Sequence, residues 1–196
     1  MKLAGCWMIA MGIESASDDV LKKAKKGTTV KQISETIHQI DEAGIELWGY
    51  FIIGLPGETQ KTIQKTIDFS LCHPIKIAKF DIAAPYPGTE FNQIVTENNW
   101  INVEFEEQYD QNASAVVNYP DLSSSDIKKA TKKALFKFYS RPARLIYIAR
   151  EILKPRTFLT IVLIMRDWIR LMSSRKNYRD YTGHEKVEPA VKKPAV

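Results

Sequence analysis

Two cysteines and three histidines are all that 196 residues contain of the usual thiol and imidazole metal ligands. Cys6 and Cys72 are too few for a disulfide framework and fall at no metal-binding spacing, so each is expected to be a buried, reduced thiol. No G-x-x-x-x-G-K-[ST] loop is present, which removes the commonest phosphate cradle. No G-x-G-x-x-G follows a strand-like run, which removes the dinucleotide fingerprint. H-E-x-x-H, C-x-x-C and G-x-S-x-G are missing too. The longest apolar run, FLTIVLIM at 158–165, falls far short of the roughly 18 residues that span a bilayer. The first residues do not pair a charged region with an apolar stretch and cleavage site, so a cytoplasmic location is expected.

What is present is globular in character, with 44% hydrophobic and 10% aromatic residues. Charge is divided unevenly. Met1 to Asp126 carries 10 Lys and Arg against 18 Asp and Glu, whereas residues 127–196 carry 18 against 5. An acidic front and a basic back imply two units with different partners.

Three strand-like runs alternate with helical stretches through the first hundred residues. Cys6 to Gly12 is the first run, and SASDDVLKKAKKG then reads as a short helix stopped by Gly27. A longer helix opens at Thr29 with Gln32 at capping-box spacing. Its Val30, Ile33, Ile37 and Ile40 recur every three or four residues. IELWGYFIIG is the second run, and the helix TQKTIQKTIDFSLC follows it until Pro74. IKIAKFDIAA is the third, followed by the helix FNQIVTENN. This βα alternation, with near-continuous apolar strands, predicts an α/β fold with a parallel sheet covered on at least one face.

Beyond residue 100 the reading changes. Residues 101–122 read as an irregular connector, and 123–172 as a basic helical extension that opens with an S-x-x-D cap at Ser123 and Asp126. Its later stretches start at RPARLIYIAREIL and PRTFLTIVLIMRDWIRLMS, and 173–196 reads as a disordered tail.

Polar and glycine-rich signals cluster directly after the strands: GIES, GLPGET and PYPGTE. Parallel sheets bind ligands at the carboxyl ends of their strands, so three such turns on one rim predict a small-molecule site. Taken singly, each turn is ordinary loop chemistry.

Together and in this order, GIES, YFIIGLPGET and FDIAAPYPGTE resemble the second half of the catalytic domain of radical S-adenosylmethionine (SAM) enzymes. The likeness is greatest to the cobalamin-binding group, which includes anaerobic magnesium-protoporphyrin cyclases and hopanoid-modifying enzymes. It covers roughly residues 1–100, and the basic helical region is similar to the tail of that group. The resemblance implies three parallel βα units forming the second half of a partial (βα)6 TIM-like barrel. It implies that Glu14 and Ser15 face the ribose of S-adenosylmethionine, that Ile52 and Gly54 back the adenine, and that backbone at Ala84 and Pro85 meets the adenine edge. Glu58 is expected to shape its turn. The catalytic residues stay unassigned.

The family also implies a 4Fe–4S cluster on a Cys-x-x-x-Cys-x-x-Cys motif, and for this group cobalamin. Neither the cysteine triplet nor a cobalamin domain is in the sequence, and Cys6 and Cys72 cannot serve as cluster ligands. The expectation is a carboxyl-terminal piece of an enzyme, inactive alone, whose partner is an amino-terminal half in cis or in trans. The parent chemistry would be hydrogen abstraction by a 5′-deoxyadenosyl radical or methyl transfer to a small-molecule substrate. An unpaired apolar edge on the first strand would make the isolated chain poorly soluble or oligomeric. The alternative is a non-catalytic module whose basic amphipathic helices bind an anionic membrane surface, peripherally, or nucleic acid. No recognised motif supports the last, so nucleic acid is not expected.

Overall fold

The structure, a computed structural model, describes residues 1–101 and 117–154. The helical stretch expected from 155 and the tail at 173–196 lie outside the described residues, as does most of the connector. The chain divides into two compact units, Met1–Tyr147 and Ile148–Val196, and the strands all belong to the first.

After a 3-10 turn at Lys2–Ala4, the order is β1 (Met8–Glu14), α1 (Asp18–Lys23), α2 (Val30–Glu42), β2 (Glu46–Ile53), α3 (Gln60–Cys72), β3 (Ile77–Ile82), α4 (Glu90–Glu97), α5 (Ser124–Tyr139) and α6 (Pro142–Leu153). The strands form one parallel sheet in the order β1-β2-β3. Register runs Ala10 to Trp48 to Ile77 and Gly12 to Tyr50 to Lys79; β2 and β3 end together at Ile53 and Ile82, and β1 ends at Glu14 opposite Phe51. An irregularity between Gly12 and Glu14 precedes the last β1 pair, Glu14 with Phe51.

Helix starts follow local chemistry. Thr29 and Gln32 form the expected reciprocal cap, and so do Ser123 and Asp126. Thr59 and Thr62 form a third such box at α3. The hydrogen bonds from Ser123 hold the exposed Asp126 carboxyl below its ordinary range. Along α2, Ile33, Ile37 and Ile40 are buried at the predicted spacing.

One face of the sheet is core. Leu47, Phe51 and Ile53 alternate along β2, with Ala78, Phe80 and Ile82 beside them on β3. Phe51 and Phe80 stack at 4.9 Å, and Ile13, Ile37, Ile63, Ile67 and Ile127 close over them. Burying each such side chain contributes about 1.5–3 kcal/mol. Gly49 suits this packing, because a Cβ would stand 3.0 Å from Ile13 and 3.3 Å from Ile75, and both side chains would have to shift slightly. Tyr139 of α5 donates to the Ala78 carbonyl at 2.9 Å, fixing that helix on β3.

The opposite face carries Met8, Ala10, Trp48, Tyr50, Ile52, Ile77, Lys79 and Asp81, all at least partly exposed among the described residues. Apolar and aromatic side chains dominate it, even though none of them is fully buried among the described residues.

Candidate functional site

The carboxyl ends of the strands are where backbone geometry is least ordinary. Glu14 closes β1 with φ 63°, a left-handed conformation that a β-carbon disfavours. Its carboxylate is mostly buried and pairs with Lys26 at 2.9 Å. Gly12 gives that carboxylate its room, since a Cβ there would collide with Glu14 Oε1.

Ser15 is placed differently from its neighbour. It is buried, and its hydroxyl meets Thr66 Oγ1 of α3 at 3.3 Å. Thr66 also accepts from Ala16 N–H at 3.0 Å. The residue pair read from sequence is therefore split: Glu14 stands at the rim and Ser15 ties the turn to the helix behind it.

At the end of β2, Ile52 lies on the half-exposed face opposite Asp81. Gly54 follows with φ 93°, and Ile127 of α5 packs so closely that a Cβ would stand 3.1 Å from it. Glu58 shapes this turn, as expected. Its Oε2 accepts from Gly54 N–H at 2.5 Å and Leu55 N–H at 3.3 Å. It is 5% exposed, and its Oε1 is buried without a hydrogen-bond partner. Burial pushes its pKa up to about 7, against the two backbone bonds that pull it down.

After β3, Ala83 N–H donates to Ile53 O, which keeps the chain on the sheet one residue past the strand. Ala84 and Pro85 form a turn closed by two local bonds. Ala84 O accepts from Tyr86 N–H at 3.0 Å, and Pro85 O accepts from Asn92 Nδ2 at 2.9 Å. A carbonyl has a second lone pair, so these bonds fix the turn without saturating it.

Sequence reasoning missed three contributors. Tyr119 donates its hydroxyl to Gly54 O at 2.8 Å from 65 positions away, and Thr66 reaches from α3. The third is the lysine run of α1 and the residues after it. Lys26 meets Glu14, Lys25 meets Glu90 at 2.5 Å, and Lys23 lies against Gly57. Only the lysine run left a signal, in KKAKK directly after the first strand and turn. Pockets open at the rim and on the sheet face among the described residues. One of about 270 Å³ is lined by Lys23, Leu55, Pro56, Glu90 and Phe91 among others. Another of about 420 Å³ lies by Trp48, Tyr50, Lys79 and Tyr139.

The cysteines were expected to be buried, and that expectation is corrected for Cys72, which is exposed. It ends α3 off the face that buries Ile63, Thr66, Ile67 and Ser70. Cys6 is half-buried ahead of β1. Both lie at the amino ends of strands, opposite the rim, and no cluster of three His, Cys, Asp or Glu among the described residues could hold a metal. The residues of this chain do not fit an iron–sulfur cluster. No described helix is long and apolar enough to cross a membrane.

A parallel βα sheet with glycine and carboxylate turns at one rim defines an α/β protein built from βα units. The family follows from comparison: the model of the radical SAM superfamily matches residues 1–70, and this part of the chain belongs to that superfamily. An uncharacterized methyltransferase of Pyrococcus horikoshii is 36% identical over 146 residues, covering 74% of this chain and 32% of the relative. Bacteriochlorophyllide d C-12(1)-methyltransferase of Chlorobaculum tepidum is 33% identical over 89 residues, 45% of this chain and 20% of the relative. Anaerobic magnesium-protoporphyrin IX monomethyl ester cyclase of Cereibacter sphaeroides is 32% identical over 90 residues, 46% of this chain and 15% of the relative. The chain thus spans about a third or less of the length of these relatives.

Proposed function

We propose that the first unit supplies the nucleoside-binding half of a radical SAM enzyme, in the cobalamin-binding group of methyltransferases and cyclases. The observation that carries this is the Glu14 turn. Its carboxylate is held in a left-handed conformation at a strand end, with Gly12 clearing the space around it. Lys26 occupies Oε1, which leaves Oε2 as an acceptor for the ribose hydroxyls of S-adenosylmethionine. Ile52 and Gly54 would lie along the adenine, and the Ala84–Pro85 backbone at its edge. When bound, S-adenosylmethionine supplies a carbon–sulfur bond for reductive cleavage.

The apolar, half-exposed face of the sheet supports a barrel reading, because Trp48, Tyr50 and Ile52 would turn inward when three further βα units close the ring. Those units, the cysteine triplet for a cluster and any cobalamin domain would come from other polypeptide, in cis or in trans. The reading as a charge-driven binding module is not favoured, since the relatives are named for enzymatic reactions.

S-adenosylhomocysteine titrated into the 15N-labelled chain tests the site. Amide shifts are expected at Gly12–Glu14, Gly54–Leu55 and Ala83–Ala84. Saturating ligand that leaves all three turns unmoved overturns the proposal.

A further inference from the structure

The Gly54–Leu55 peptide is held at both ends. Its carbonyl accepts from the Tyr119 hydroxyl at 2.8 Å, and its N–H donates to Glu58 Oε2 at 3.3 Å. The preceding N–H, on Gly54, donates to the same oxygen at 2.5 Å. Tyr119 is 8% exposed and lies edge-on to Trp100 at 5.2 Å, so its hydroxyl has little freedom to turn elsewhere. Asn118 N–H bonds Trp100 O at 2.7 Å and Tyr119 exchanges backbone bonds with Leu122, which fixes the backbone that carries the ring. Ile127 packs against Gly54 as well.

A donor on a peptide carbonyl polarises the peptide and makes its N–H a better donor in turn. Tyr119, the Gly54–Leu55 peptide and Glu58 therefore form one directional chain, hydroxyl to carbonyl, then N–H to carboxylate. We propose that Tyr119 is a positioning residue: through this peptide it holds the Glu58 carboxylate and so sets the conformation of the turn that meets the nucleoside. The last clause rests on the function proposed above, whereas the relay stands on the contacts alone. Residues beyond the strand units thereby reach the binding rim without touching ligand.

The arrangement differs from simple packing in what it predicts for the proton on Glu58. Among the described residues, Tyr119 is electrostatically linked to this carboxylate, and Lys23 of α1 lies against Gly57, the residue before it. Lys23 is the same in the natural chain and in both Tyr119 variants, so changes report on Tyr119.

The test follows Glu58 by carboxyl 13C NMR in the full chain, with a midpoint of about 7 expected for the natural sequence. Tyr119→Phe removes the donor, and the midpoint should rise by roughly half a pH unit, about threefold in proton affinity. A 3-fluorotyrosine at the same position is a stronger donor and should lower the midpoint. Opposite shifts from two rings of nearly equal shape are something packing alone does not produce. If the phenylalanine chain fails to fold, the fluorinated chain carries the test. An unchanged midpoint, or a shift in the wrong direction, overturns the relay.

S-adenosylhomocysteine binding at pH 8 separates the two proposals. Tyr119→Phe should weaken it severalfold, as should Glu14→Ala. Loss in Glu14→Ala but not in Tyr119→Phe overturns positioning and leaves the site intact. Midpoint shifts with no binding in the natural chain support the relay and overturn the nucleoside reading.

Discussion

Ser15 donates its hydroxyl to Thr66, 51 positions along the chain and in a buried setting. The direction follows from counting protons. Thr66 spends its own hydrogen on Thr62 O at 3.2 Å and accepts from Ala16 N–H, so Ser15 must supply the proton between the two side chains. The β1 turn is thereby fastened to α3.

Thr66→Val should accordingly cost more than Ser15→Ala. Valine keeps the shape but strands the Ala16 N–H and the Ser15 hydroxyl. About 2–3 kcal/mol is expected, against about 1 for Ser15→Ala. Urea unfolding of the three chains gives the comparison, and equal losses would refute the role of Thr66 as the shared partner of Ala16 N–H and Ser15.

Glu58 gives stability a pH dependence of unusual sign. Its folded pKa of about 7 lies above the ordinary value of 4.5. The folded state therefore binds the proton more tightly, and this contribution is complete below pH 4.5 and lost as pH rises through 7. The gap corresponds to about 3 kcal/mol. Glu58→Gln should remove that decline, leaving unfolding free energy nearly flat from pH 5 to 8 where the natural chain loses stability.

Glu14→Gly should separate stability from binding. Glycine accepts a φ of 63° freely, so the substitution relieves about 1 kcal/mol of backbone strain while deleting the carboxylate. The expected result is an unchanged or higher melting temperature with S-adenosylhomocysteine binding lost. Falling stability would show that the Lys26 pair matters more than the strain.

Gly54→Ala should fail on both counts. An L side chain is disfavoured at φ 93°, and Ile127 stands 3.1 Å from the new Cβ. A loss of at least 1–2 kcal/mol is expected by thermal unfolding.

Much of the fold could be read from the residues because its signals are local. Thr29 with Gln32 and Ser123 with Asp126 announce their helices, and the isoleucines of α2 fall on the buried face. Strand ends were less legible. The apolar run begins at Cys6 while pairing begins at Met8, because β2 first offers backbone opposite it at Glu46. The third capping box was hidden because Thr62 stands where the usual signature has Glu or Gln. Within the site, Glu14 and Ser15 looked like one recognition pair. Neighbouring side chains near a strand end point to opposite sides, so one reaches the rim and the other the core. Tyr119 left no trace, since nothing within a few residues of Gly54 points to it.

The short α1 segment has a collective effect. Lys26, Lys23 and Lys25 reach the turns that follow β1, β2 and β3, respectively. Each contact at a surface is weak taken alone. The two ion pairs, Lys26 with Glu14 and Lys25 with Glu90, are screened by the same counterions, over a Debye length of about 10 Å at 0.1 M salt. Ionic strength thus acts on the turns after β1 and β3 together, so added salt would loosen both sides of the rim at once.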